Sequence, residues 1–118
     1  METKTIVTII FWLLSAGFAL LIYIHAFHKI IAQKQKVEMF AKWGYSIFAM
    51  RLIGFVEVTG ASLLLFPLTR LYSIPIYAVL LSGAVYTHIK NKDTKEDTMG
   101  PFIAGAWLSV ALLLTIWM

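Results

Sequence analysis

Four long apolar runs divide the chain, at residues 6–24, 46–66, 74–89 and 99–117, and the polar residues fall mostly between them. A helix needs roughly 20 apolar residues to cross a bilayer, and the first run alone would extend about 28 Å. Each run is therefore predicted as a transmembrane helix. Residues 25–45 read differently. Lys29, Lys34, Lys36 and Lys42 alternate with Ile30, Ile31, Val37, Met39, Phe40 and Trp43. This spacing predicts a short helix lying in the interface, its apolar side down, its lysines reaching water and Trp43 at headgroup depth. Gly44 permits a sharp entry into the second span. Pro67 ends that span, because proline cannot continue the hydrogen-bond ladder. Pro75 falls in the first turn of the third, where a missing N–H costs little, and Gly100–Pro101 opens the fourth. Residues 90–98 crowd Lys90, Lys92, Asp93, Lys95, Glu96 and Asp97 into a solvated loop. The expected fold is an all-α integral membrane protein: one domain, 1–118, forming an antiparallel bundle of four transmembrane helices with a short interfacial helix after the first span.

Composition agrees with that pattern. Of 118 residues, 60% are hydrophobic and 14% charged, whereas soluble domains are nearer a quarter charged. A soluble chain this small has no interior able to take so much apolar surface, so lipid must solvate most of it. The first run continues past the small residues Ser15, Ala16 and Gly17, and positive charge follows rather than precedes it. It therefore reads as a retained helix and not as a cleaved leader. There is no cysteine, which excludes disulfides, thiolate metal sites and thiol redox chemistry. The net charge of +4 sits in the membrane-facing loops and leaves no basic domain for nucleic acid. Lys29, Lys34, Lys36, Lys42, Lys90, Lys92 and Lys95 belong to one side of the topology, Lys4 and Arg70 to the other. That asymmetry predicts cytoplasmic loops at 25–45 and 90–98, with both termini outside.

In lipid, helices associate through small residues and polar contacts, since leucine gains little against leucine. Gly54, Glu57 and Ala61 share one face of the second span, with Gly60 beside them. Gly83 and Ala84 supply a similar patch on the third span, and Gly105 with Ser109 on the fourth. Glu57 thus lies at mid-span on a face suited to another helix, as a proton-bearing or ligand-binding carboxyl or as a structural polar tie. Arg51, about 9 Å along the same helix, is expected near the headgroups, and its spacing does not favour a salt bridge to Glu57. His25, His28 and His88 sit at helix ends on one membrane side. They are an interfacial set, or a weak bis-histidine signal for haem or a metal, which lacks a supporting acidic cluster. The tyrosines and tryptophans form aromatic belts or packing, or else stack on a quinone ring. No nucleotide loop, nucleophile–base pair or zinc motif is present.

Several stretches carry a family resemblance: Ala26-Phe27-His28-Lys29-Ile30, then Phe40 to Tyr45 with Lys42-Trp43-Gly44, then Arg51 to Ala61 with its Gly-x-x-Glu-x-x-Gly-Ala element, then Pro67 and Arg70, then Gly83 through Thr87-His88. Together they resemble the DoxX-like family of small four-span bacterial membrane proteins, over nearly the whole chain. Ala26 stands where a glycine is more usual. The resemblance implies a four-helix bundle in a bacterial inner membrane. It points to Lys29, Arg51, Glu57, Thr87 and His88 as functional positions, to which the helix-end reading adds His28. It also implies an accessory, non-catalytic role in a quinone-linked redox or oxidative-stress system, with a quinone-like or lipid ligand in the bundle. The alternatives are a chaperone or assembly factor for other membrane proteins, and a proton-coupled transporter acting as a dimer. Expected partners are the bilayer, a redox partner or other membrane proteins, or a second copy of the chain; haem and metal are not expected.

Overall fold

The computed structural model describes residues 2–118, apart from the side chains of residues 96 and 97. It contains five α-helices: α1 Thr3–Ile30, α2 Lys34–Lys42, α3 Ile47–Leu65, α4 Ser73–Lys90 and α5 Lys95–Leu114. Four are long and apolar enough to cross a membrane. The fifth, α2, is the interfacial helix anticipated from the lysine-rich segment. The spans pack in a ring, α1 against α3, α3 against α4, α4 against α5 and α5 back against α1. Its centre holds Phe18, Leu64, Tyr77 and Leu108. Phe18 and Tyr77 meet edge to face across that centre, with ring centroids 5.3 Å apart. Trp107 of α5 donates to the Leu14 carbonyl at 3.0 Å, beside Gly17, where a side chain would press on the indole.

The helix ends follow local chemistry. Ser46 caps α3, its hydroxyl accepting from the Ala49 amide at 3.1 Å. Phe66 is extended ahead of Pro67, as the residue before a proline must be. Beyond Pro67, Thr69 donates to the Leu63 carbonyl and Arg70 to the Leu64 carbonyl, so a cation satisfies the negative end of α3. The guanidinium then lies over the Phe11 ring, 4.4 Å from its centroid. The sequence pattern places Arg70 in a short connection, among the residues that carry the resemblance, and gives no sign of this cap.

Two boundaries differ from the sequence reading. The first helix does not stop near residue 24 but runs to Ile30. A helix of that length is about 42 Å long, more than the hydrocarbon core needs, and its last turn lies against Gly54, inside α3, with Ala26, Lys29 and Ile30 at the contact. The helix of the fourth span, α5, begins at Lys95, ahead of Gly100, which leaves Pro101 inside the helix rather than at its start, while the stretch apolar enough to span runs Thr98–Trp117.

Three helices at the lysine-rich end finish in the same way. The C-termini of α1, α2 and α4 each close with paired backbone bonds: Gln33 to His28 and Ala32 to Lys29, Tyr45 to Phe40 and Gly44 to Ala41, Asp93 to His88 and Lys92 to Ile89. This is the Schellman pattern, and its penultimate residue is left-handed. Gly44 adopts φ 88° without penalty, whereas Ala32 and Lys92 sit at φ 57° and 54°. A side chain in that region costs about 1–2 kcal/mol. Ala32→Gly should therefore stabilise the protein by about 0.5–1 kcal/mol after the added freedom of the unfolded chain is subtracted. Equilibrium unfolding in mixed micelles will read the difference; an unchanged or lower midpoint would contradict it.

Candidate functional site

The small-residue face of α3 carries the site. Gly54, Glu57, Gly60 and Ala61 are all buried. Gly54 lets α3 approach α1 so closely that an added Cβ would lie 3.0 Å from the Ala26 carbonyl oxygen and 3.3 Å from the Lys29 Cβ. Ala26 is itself fully buried at this contact. This close approach brings the Lys29 ammonium onto the Glu57 carboxylate as an ion pair. The two side chains are only 14% and 11% exposed. On the α4 side, Gly60 makes room for Tyr77, whose hydroxyl donates to the Glu57 carbonyl oxygen at 2.9 Å. The Lys29 ammonium also stands 5.9 Å above the Phe40 ring, from α2. Burial holds the Lys36 ammonium, on α2, below its ordinary pKa; Lys29 adds to the effect and Glu57 opposes it.

A second polar cluster lies beyond Phe40, at the same end of the bundle. Its hub is Asp93, in the α4–α5 connection, whose side chain is 3% exposed. One carboxylate oxygen accepts from Lys42 at 3.0 Å. The other accepts from the Trp43 indole at 2.9 Å and meets the His88 Nδ1 at 2.7 Å. The hydrogen bond from Lys42 first, then those from His88 and Trp43, hold the Asp93 carboxyl below the usual carboxylate range against its partial burial. Trp43 packs edge to face on His88 at 5.0 Å and on Phe40 at 5.1 Å. Thr87 donates to the Gly83 carbonyl, so the Tyr45 hydroxyl, 2.9 Å away, donates to Thr87.

The positions singled out in the sequence therefore separate. Lys29 and Glu57 form one centre. Thr87 and His88 belong to the second, joined to the first through Phe40, Trp43 and Tyr45. Arg51 is exposed and has no ion-pair partner among the described residues. His28 is half-buried and packs beside Phe27. Among the described residues no three His, Asp or Glu side chains converge as metal ligands would. Of the packing residues, Gly54, Gly60 and Ala61 lie at helix contacts. Ala84 is half-buried, and Gly105 makes an ordinary approach to Leu81. Gly83 is exposed, with nothing within 4 Å of an added Cβ, so it is not a packing position within this bundle. Sequence reasoning missed Asp93, Tyr45, Tyr77 and Lys36. Asp93 looked like one loop charge among several, because its inward turn depends on the left-handed Lys92.

Two clefts of about 600 and 250 Å³ open between α4 and α5, lined by Leu81, Ser82, Gly105 and Ser109 among others. None of Lys29, Glu57, Thr87 or His88 lines either of them.

These features define a small multi-pass membrane protein of four spanning helices, with a buried ion pair between the first two spans and a latch of polar groups at one end. Residues 13–114 match the DoxX-like family, and the chain belongs to it. No curated protein and no solved structure matches the chain.

Proposed function

We propose that this DoxX-like protein is a non-catalytic membrane subunit of a quinone-linked redox or oxidative-stress system, and that Lys29 and Glu57 receive the polar ring of a quinone-type ligand. The observation that carries this reading is the ion pair itself. Ionisable residues at membrane depth are costly and tend to mark ligand or proton pathways. A buried pair is weak as a stabilising device, since apolar replacements of similar size often do as well. The pair also matches the ligand chemically: the ammonium donates to a quinone carbonyl oxygen, and the carboxylate accepts from a quinol hydroxyl. Thr87 and His88 have a supporting role here, through the aromatic side chains that separate them from the pair. The lysine-rich end faces the cytoplasm of a bacterial inner membrane in this reading, in keeping with the lysine asymmetry.

Titrating a short-chain ubiquinone or menaquinone analogue into the purified protein in nanodiscs, followed by tryptophan quenching, tests the proposal. The unaltered protein should bind saturably, and Glu57→Gln should weaken binding by about tenfold or more, the size of one lost charge-assisted hydrogen bond. Absence of saturable binding in both proteins would overturn it.

A further inference from the structure

The Lys29–Glu57 pair is largely covered, its side chains only 14% and 11% exposed, so a ligand the size of a quinone ring needs a moving part to reach it. The candidate cover is α2. This helix has nine residues, too few to be stable alone, and it depends on what it touches. Phe40 is its one buried residue and the one that lies against Lys29. At its far end Lys42 and Trp43 are both held by a single carboxylate, Asp93, which belongs to another part of the chain. His88 is the third group on that carboxylate. Both connections flanking α2 contain a left-handed residue, Ala32 before it and Gly44 after it. Such positions are sparsely populated for alanine, and glycine there moves freely between conformations. The segment is thus a short amphipathic helix with a hinge at each end, one apolar foot on the site and one polar latch.

We propose that α2 is a hinged lid over the Lys29–Glu57 pair, latched shut by the Asp93 carboxylate through Lys42 and Trp43. His88 positions the latch by holding the same carboxylate, which gives it a role apart from the pair. When Asp93 lets go, Trp43 and Lys42 lose their partner and Phe40 lifts from Lys29. The pair then opens toward the headgroup region on the lysine-rich side. The inference rests on reading the pair as a ligand site and says how that site is gated.

Because the chain has no cysteine, the lid can be followed and fixed by introduced ones. The reaction of Glu57 with a water-soluble carbodiimide and glycine ethyl ester, read by peptide mass spectrometry on the full chain in nanodiscs, reports exposure of the pair. Asp93→Asn should raise the rate of Glu57 modification by about tenfold, as expected for losing one charge-assisted hydrogen bond across the latch. A second protein, Lys42→Cys with Asp93→Cys, should also react fast as prepared. It should fall to or below the rate of the unaltered protein once a short bis-maleimide joins the two cysteines. The bridged and unbridged forms are the same folded protein, so general destabilisation does not produce this difference. Equal Glu57 reactivity in the unaltered protein, in Asp93→Asn and in both forms of the double variant would overturn the lid. Neither arm contains a quinone, so failure here is distinct from failure of the quinone titration.

Discussion

Lys29→Met should destabilise the bundle by about 3–5 kcal/mol, the cost of leaving one member of a buried pair without its partner. The stranded group is Glu57, held between α3 and α1 with only 11% of its side chain exposed. Adding Glu57→Leu to the same protein should restore most of the loss, because an apolar pair of similar volume removes the desolvation penalty along with the attraction. The reverse single change, Glu57→Leu alone, should behave like Lys29→Met, with a milder loss because the lysine stem can carry its ammonium toward the interface. Equilibrium unfolding in mixed micelles, or steric trapping in bicelles, gives all four stabilities. If the two single losses simply added in the double variant, the pair would not be an energetic unit.

Gly54→Ala is expected to have the next largest effect. Its new Cβ would meet the Ala26 carbonyl oxygen and the Ile30 Cγ1 at 3.0 Å each. A backbone carbonyl cannot rotate aside as a side-chain tip can, so α1 and α3 must part by some tenths of an ångström. Overpacking of this kind costs about 1–3 kcal/mol. It should also lengthen the Lys29–Glu57 contact, so stability and ligand binding should fall together. Gly83→Ala is the control, since nothing stands within 4 Å of its Cβ; it should leave binding unchanged and stability unchanged or higher by up to about 1 kcal/mol, the helix preference for alanine over glycine. Equal effects from the two substitutions would show that the α1–α3 approach is not what sets the site.

The bundle was legible in the sequence because hydropathy reports the solvent each segment needs, and four runs long enough to span leave few arrangements. The face of Glu57 was legible for a related reason: Gly54, Glu57 and Ala61 recur at helical spacing, and small residues mark close approach in lipid. Its partner was harder to find. Apolar patterning fades at His25, and only the helix continuing to Ile30 puts Lys29 beside Ala26 at the Gly54 contact. The family resemblance named Lys29, but the pattern of polar and apolar positions put it in the interface. Asp93 was not legible at all. Its place depends on a lysine adopting φ 54°, a conformation that composition does not signal and that glycine or asparagine would have announced. Gly83 misled for the opposite reason, since a small residue on a helix is a necessary sign of contact and not a sufficient one.

The central claim is that Lys29 and Glu57 are kept as a ligand site and not as a tie for the bundle. The variant with both Lys29→Met and Glu57→Leu tests it most directly, because the pair is removed without stranding a charge. Its quinone titration, run beside its unfolding curve, should show stability close to that of the unaltered protein and binding weakened by about tenfold or more. Retained stability with unchanged quinone affinity would contradict the claim.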